Sequence, residues 1–330
     1  MKLDILIDCS YGDTGKGKVC GILVNKNNYD FCARGQGGQN AGHQVWVNDT
    51  TKVTTNIVPS GALFGTKSFI GSECYINERA FLEELDRLSK VRPDVSKLIK
   101  ISHEAHIVTD EHLKEEEGEA RIGSTRRGIG PCARDKYSRI GKRVEDSAIL
   151  RDYAVDLYDE LYIKNPNANV LFEGAQGFYL DISHGDYPYV TSSHCSVGGI
   201  LNNGFNHTQV RNVFGVIKGY TTYVGSKSFQ DPGDKMLDKI IDVGMEFGSV
   251  TGRRRQANYL NINELQKAIH INGVNYLYVN KMDILREVKC WKVIRDNVIV
   301  DLGSESNFKS YIEKLFPSVV TEYSYSPLSV

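Results

Sequence analysis

The chain has 330 residues, a quarter of them charged, and its 40 basic and 41 acidic side chains leave a net charge of −1. That balance excludes a general electrostatic pull toward nucleic acid or acidic membranes, so any anion must be held by a local cluster. No run of 18 apolar residues exists and Asp4 and Asp8 interrupt the N-terminus, so neither a membrane span nor a secretory leader is expected. The seven cysteines are odd in number and form no CxxC pair, which points to a reducing cytosol and away from a zinc centre.

The first predicted element is a buried strand over 3–7, and it feeds Ser10-Tyr11-Gly12-Asp13-Thr14-Gly15-Lys16-Gly17-Lys18. A strand followed by a glycine-rich turn that ends in lysines is a phosphate cradle. Backbone N–H groups converge on the anion, the glycines permit close approach, and Lys16 or Lys18 supplies charge. Gly12, four further residues and then Gly17-Lys18 match a Walker A loop, but Val19 stands where the Mg²⁺-ligating hydroxyl belongs. Asp13 lies inside the loop instead, and a carboxylate among phosphates holds metal, acts as a base, or does both. The next block, Arg34-Gly35-Gln36-Gly37-Gly38-Gln39-Asn40-Ala41-Gly42-His43, makes poor core and poor helix. It reads as a ligand loop in which His43 serves a transferred phosphoryl group.

A strand is predicted at 68–70 and a helix over 77–90, where Phe81, Leu82, Leu85 and Leu88 recur at helical spacing. Residues 112–121 are charged and apolar-poor, as in a solvated helix or loop. Gly123-Ser124-Thr125-Arg126-Arg127-Gly128-Ile129-Gly130-Pro131, with Arg134, Lys136 and Arg139 behind it, suits a monoester phosphate because backbone, hydroxyl and guanidinium all donate. Helical spacing returns over 146–163. A strand at 170–172 then ends in Glu173-Gly174-Ala175-Gln176-Gly177, which would place Gln176 at the carboxyl edge of a parallel sheet. Asp181 and His184 read as a structural pair. After a strand at 213–217 comes Val250-Thr251-Gly252-Arg253-Arg254-Arg255-Gln256. Three successive arginines cannot all face one way, and the Thr-Gly before them favours capture of a dicarboxylate or phosphate. A helix over 262–271 leads to a strand at 276–279 and to Asn280-Lys281-Met282-Asp283, whose carboxylate suits the N1–H and N2 amine of guanine. A last apolar run covers 293–300. Alternation of strand and helix predicts an α/β fold: a single large domain over 1–330 with a mainly parallel central sheet covered by helices on both faces.

Taken in order, YGDTGKGK, GGQNAGH, GSTRRGIGP, EGAQG, YPYVTSS, TGRRR and NKMD resemble the adenylosuccinate synthetase family from about Ile5 to Pro327. The resemblance implies a P-loop NTPase-related fold, a cytoplasmic homodimer and Mg²⁺ as cofactor. The implied reaction is a ligation of L-aspartate to C6 of a purine nucleoside 5′-monophosphate driven by GTP, or by ATP, through a 6-phosphoryl intermediate. It assigns Asp13 to proton removal from purine N1 and to Mg²⁺, with the Gly42 carbonyl as second metal ligand, and His43 to the γ-phosphoryl group. Lys16 and Gln176 complete the catalytic set. The triphosphate would be held by Gly12, Thr14, Gly15, Lys16, Gly17, Lys18 and Gly42, with Lys281, Asp283 and Ser326 on its base. Asn40, Thr125, Gln176 and Thr191 would hold the monophosphate, with Arg139 reaching it from the other subunit, and Thr251, Arg253 and Arg255 would line the aspartate region.

The chain also departs from the family. Gln-Trp-Gly-Asp-Glu is here Ser10-Tyr11-Gly12-Asp13-Thr14, and Ser226-Lys227-Ser228-Phe229-Gln230-Asp231-Pro232 replaces the family's Gly-Pro-Phe-Pro-Thr-Glu loop, which lies against the sugar and aspartate. Such changes resemble the viral branch, which makes 2-aminoadenylosuccinate from dGMP for diaminopurine genomes, and a viral enzyme would work in the host cytoplasm. The alternative substrate is IMP. A GTP-dependent switch protein is a remote alternative that leaves GQGGQNAGH, EGAQG and TGRRR without work.

Overall fold

The computed structural model describes residues 1–119, 121–248 and 252–328. Its centre is a nine-stranded sheet. In chain order the strands are β1 (Lys2–Asp8), β2 (Phe31–Arg34), β3 (Lys67–Ile70), β4 (Ile99–Ser102), β5 (Ala154–Val155), β6 (Asn169–Glu173), β7 (Val210–Lys218), β8 (Tyr276–Asn280) and β9 (Val320–Tyr323). They lie in the order β5-β4-β3-β2-β6-β1-β7-β8-β9, and every neighbouring pair is parallel. From β1 the chain steps outward on one side through β2 to β5. It returns to insert β6 beside β1, then steps outward on the other side. The reversal makes β1 a topological switch point, where ligands bind beyond the carboxyl ends of the strands.

β1 shows why the sheet is buried on both faces. Leu6 packs with Val19, Cys20 and Leu23 of helix α1 (Lys16–Lys26) on one face. Leu3, Ile5 and Ile7 belong to the larger core on the other, with Phe178, Ile200 and Leu265. The one acid inside the strand, Asp4, is satisfied by Arg211 at 2.6 Å, Tyr29 at 2.7 Å and Asn212 at 3.1 Å. A smaller sheet flanks β7. Its strand Tyr220–Tyr223 runs antiparallel to Gln256–Asn261, which pairs in parallel with Lys292–Arg295.

The predicted strands at 3–7, 68–70, 170–172, 213–217 and 276–279 and the helices over 77–90 and 262–271 are present, the latter two as Glu78–Ser89 and Ile262–Asn272. The last apolar run, 293–300, forms the hairpin Lys292–Arg295 and Val298–Asp301, turned at Asp296 and Asn297, whose φ of 51° and 62° these two side chains tolerate. One expectation needs correction. Residues 146–163 are not one helix. They form short turns, the strand β5 and a five-residue helical turn, because Leu150 and Leu161 are buried by separate segments and not by one face. Residues 112–121 fall mostly in a short helix, Asp110–Glu117.

Candidate active site

Five adjacent strands, β2, β6, β1, β7 and β8, deliver their carboxyl ends to one cleft of about 810 Å³. The phosphate loop leaves β1 and enters α1 with Gly12, Asp13 and Gly15 all at positive φ. At Gly15 a Cβ would also meet Asn280 Nδ2 at 2.8 Å. Asp8, at the end of β1, organises the loop: Oδ1 accepts from the backbone N–H of Ser10 at 2.8 Å and of Gly12 at 3.3 Å. Its Oδ2 accepts from the Thr14 hydroxyl and from Lys16 Nζ at 3.2 Å. Lys16, almost fully buried, also donates to the Gln176 carbonyl, so the loops after β1 and β6 are tied together. Gly177 makes that approach possible, because a Cβ there would lie 2.3 Å from Gly12 N.

Lys18 goes elsewhere. Its Nζ donates to Asn280 Oδ1 at 3.1 Å, to Ser324 Oγ and to the Ser326 carbonyl at 2.7 Å. It therefore stitches the phosphate loop to the segments after β8 and β9, and burial lowers its pKa to about 8 against the pull of Asp283. Asn280 Nδ2 donates to the Thr14 carbonyl at 2.7 Å. Lys281, at φ 63°, caps helix α2 (Met282–Val288) and donates to the Gly244 carbonyl at 3.0 Å. Lys281, Asp283, Ser326 and Pro327 all line the cleft wall.

His43 begins the short strand His43–Trp46 and is buried. Its Nδ1 lies 2.5 Å from Glu173 Oε1, and Glu173 also accepts Ser60 N–H at 2.8 Å and Ser60 O–H at 2.6 Å. Burial, then the neighbouring Arg34 guanidinium, lowers His43 to about 4. The imidazole is therefore neutral and donates through Nδ1, which leaves Nε2 as the nitrogen available to a ligand. Burial pushes Glu173 up, but His43, Arg34 and Ser60 outweigh it and hold the carboxylate at about 2. Cys20 and Cys32 approach Glu173 to within 4.8 Å, but that carboxylate is already committed to His43 and Ser60.

Gln176 takes a left-handed conformation, φ 52°, which turns its side chain off the end of β6. Its Nε2 donates to Asn40 Oδ1 at 3.1 Å, Asn40 Nδ2 lies 3.5 Å from Thr191 Oγ1, and Gln176 Oε1 is buried with no hydrogen-bond partner among the described residues. Asn40, Thr125, Gln176 and Thr191 line the cleft together with Asp13, His43 and the whole of 11–18. Asp13 Oδ2 accepts from Arg255 Nε at 3.0 Å and Nη2 at 2.8 Å. The three arginines do diverge. Arg255 enters the cleft, Arg254 pairs with Asp238 at 3.1 Å outside it, and Arg253 is exposed and reaches the Gly123 carbonyl at 3.1 Å. Thr251 lies outside the described residues. Arg139 stands exposed at the end of the helix Ile129–Ser138 and does not line the cleft.

The Asp181–His184 pair needs restating. Asp181 is fully buried and accepts the backbone N–H groups of Ser183, His184, Cys195 and Ser196, whereas the His184 ring stacks on Phe178. Residue patterns also passed over Asp8, Arg34, Glu173, Lys218 and Glu246 as site residues. Each is an ionisable side chain with at most 2% exposure, and for all but Glu246, which follows the helix Lys235–Gly244, the signal available was a charge at the end of an apolar strand.

A wholly parallel sheet with a glycine loop, an acid and a histidine at its switch point defines a nucleotide-binding α/β enzyme related to P-loop proteins. The family model described as adenylosuccinate synthetase matches residues 5–165 and 147–298. Adenylosuccinate synthetase of Brachyspira hyodysenteriae is 34% identical over 346 residues, covering 88% of this chain and 79% of its own. That of Acaryochloris marina is 36% identical, covering 88% and 76%. Among solved structures, the fully ligated adenylosuccinate synthetase from Plasmodium falciparum aligns with a TM-score of 0.85 at 27% identity over 99% of this chain and 98% of that one. The cyanophage S-2L succinoaminodeoxyadenylate synthetase, PurZ, bound to dGMP and dATP, shares the fold with a TM-score of 0.77 at 22% identity over 99% and 93%. The chain belongs to the adenylosuccinate synthetase family and is a C–N ligase of that type. No helix among the described residues is long and apolar enough to cross a membrane.

Proposed function

We propose that this enzyme, one catalytic domain over the whole chain, joins L-aspartate to C6 of dGMP, with GTP as the energy donor. The observation that carries the reading is the convergence of Asp13, His43, Gln176, Arg255, Asn280, Lys281 and Asp283 on one cleft. A 6-oxo group is a poor leaving group. Asp13 takes the proton from N1 so that O6 attacks the γ-phosphoryl group as the β–γ bridging P–O bond breaks and GDP leaves, His43 steadies that group through Nε2, and the amine of aspartate then displaces phosphate from C6. Positioning and charge do most of the work. Gly12, Thr14, Gly15, Lys16, Gly17, Lys18 and Gly42 face the triphosphate, and Lys281, Asp283 and Ser326 face its base. Asn40, Thr125, Gln176 and Thr191 hold the monophosphate, with Arg139 lent by a second subunit. Thr251, Arg253 and Arg255 take the dicarboxylate.

A carboxylate and a carbonyl at the wall of a phosphate site are hard oxygen donors that suit Mg²⁺, so Asp13 and Gly42 are assigned to it. The ion would neutralise phosphate charge there.

One feature of the site favours a 2-aminopurine: Asp13, on the cleft wall, can accept from both N1–H and N2–H. The replaced loop favours an altered sugar site: Lys227 pairs with Asp186 and sits 5.1 Å above the Tyr11 ring, outside the cleft lining, leaving Val224 on the wall. The second reading, IMP, is favoured by the name adenylosuccinate synthetase that the curated relatives carry. Assaying IMP, GMP, dIMP and dGMP side by side decides between them. The expected result is the highest kcat/KM with dGMP, and a higher value for IMP refutes the dGMP assignment.

A further inference from the structure

Lys218 and Glu246 form an ion pair at the cleft wall that the chemistry above leaves unused. Lys218 Nζ lies 2.8 Å from Glu246 Oε2 and 2.7 Å from Thr222 Oγ1, and the Tyr220 hydroxyl donates to Glu246 Oε1 at 2.6 Å. The two charged side chains are 2% and 0% exposed. One cation and one hydroxyl already satisfy a buried carboxylate, yet Glu246 holds a second cation, Arg255, through Nη1 on the same Oε2. The opposite edge of that guanidinium, Nε and Nη2, is given to Asp13. Four charges of alternating sign therefore run in a line from the interior to the phosphate loop.

When Asp13 turns to its other partners, Lys218, Glu246 and Arg255 together carry one net positive charge. One guanidinium edge then faces the cleft, and the group that fits it is a carboxylate. A free arginine would have to give up much rotamer freedom to offer that edge, whereas a clamped one is already in place. We infer that Glu246 and Lys218 are positioning residues for the dicarboxylate substrate: they clamp Arg255 so that its free edge is presented in fixed register, to Asp13 in the empty cleft and to a carboxylate of L-aspartate during turnover. The inference rests on Arg255 as the capture point for that substrate. Without the Glu246 charge, Arg255 has Asp13 as its remaining carboxylate partner, so L-aspartate must compete with a tighter internal pair, while Lys218 loses its counter-charge.

The test is steady-state kinetics on the whole protein with L-aspartate, purine monophosphate and GTP each varied, for wild type, Glu246→Gln and Tyr220→Phe. Thermal melting monitors folding, and calorimetry measures succinate as a non-reacting dicarboxylate. The expected result for Glu246→Gln is a rise of at least about tenfold in the L-aspartate KM and the succinate Kd, with the two nucleotide KM values moving less than about twofold. Tyr220→Phe removes one neutral hydrogen bond from the same carboxylate and is expected to raise the same two constants about two- to threefold. It carries the test by itself if Glu246→Gln fails to fold. Equal rises in all three KM values, or a lower kcat with an unchanged L-aspartate KM, overturn the clamp alone. A wild-type protein that neither consumes L-aspartate nor binds succinate overturns the reading of Arg255 and the clamp with it.

Discussion

Asp13 is held from two directions. The loop fixes its backbone at φ 56°, and Arg255 takes one carboxylate oxygen with two N–H groups. An acid in a phosphate loop contradicts the loop's usual electrostatics, and for that reason it was legible in the sequence. Its supports were not. Glu173 looked like one letter of a glycine-rich turn, although its carboxylate fixes the tautomer of His43, and Asp8 looked like the polar end of an apolar run. Single residues reveal their type but not the partner that sets their protonation, and each of these partners is more than a hundred residues away or across the loop. In the proposed role, Asp13→Asn keeps the shape and loses the base. Nucleotide binding measured by calorimetry is expected to persist while aspartate-dependent phosphate release falls by about three orders of magnitude or more. Retention of a tenth of the activity would remove Asp13 from the chemistry.

At the scale of elements, strands that begin and end abruptly were read well, because Val- and Ile-rich runs closed by glycine have few other solutions. The stretch 146–163 was misread because leucines at helical spacing can also be buried by successive turns, and periodicity does not distinguish the two. The loop at 226–232 was legible only as a replacement, and the structure shows what anchors it. Lys227 pairs with Asp186, Asp186 accepts from the Tyr11 hydroxyl at 2.8 Å, and that hydroxyl also faces Glu264 at 3.3 Å. Burial and the Asp186 charge raise Glu264 to about 7, from an ordinary 4.5. A carboxyl with a raised folded pKa contributes stability that is complete below its ordinary value and is lost as pH rises through the folded one. Glu264→Gln removes that loss, so the variant is expected to gain about 1–2 kcal/mol on wild type between pH 5 and pH 8, read from denaturant melts. A constant difference across that range would show that Glu264 does not carry the raised pKa.

At the scale of the whole molecule, alternating strand and helix signals led to a mainly parallel sheet. The order of strands, with β6 inserted between β2 and β1, lay beyond any local pattern, because it is set by which faces can be covered and not by the strands themselves. That order is what brings residues from Tyr11 to Pro327 around one cleft and makes the scattered motifs a single site. The central claim is that O6 of the purine becomes a phosphate ester before aspartate displaces it. The most direct measurement uses a monophosphate labelled with ¹⁸O at C6, GTP and L-aspartate, and weighs the phosphate released. The account predicts one ¹⁸O atom in each inorganic phosphate formed with product. Unlabelled phosphate formed in step with product would contradict it.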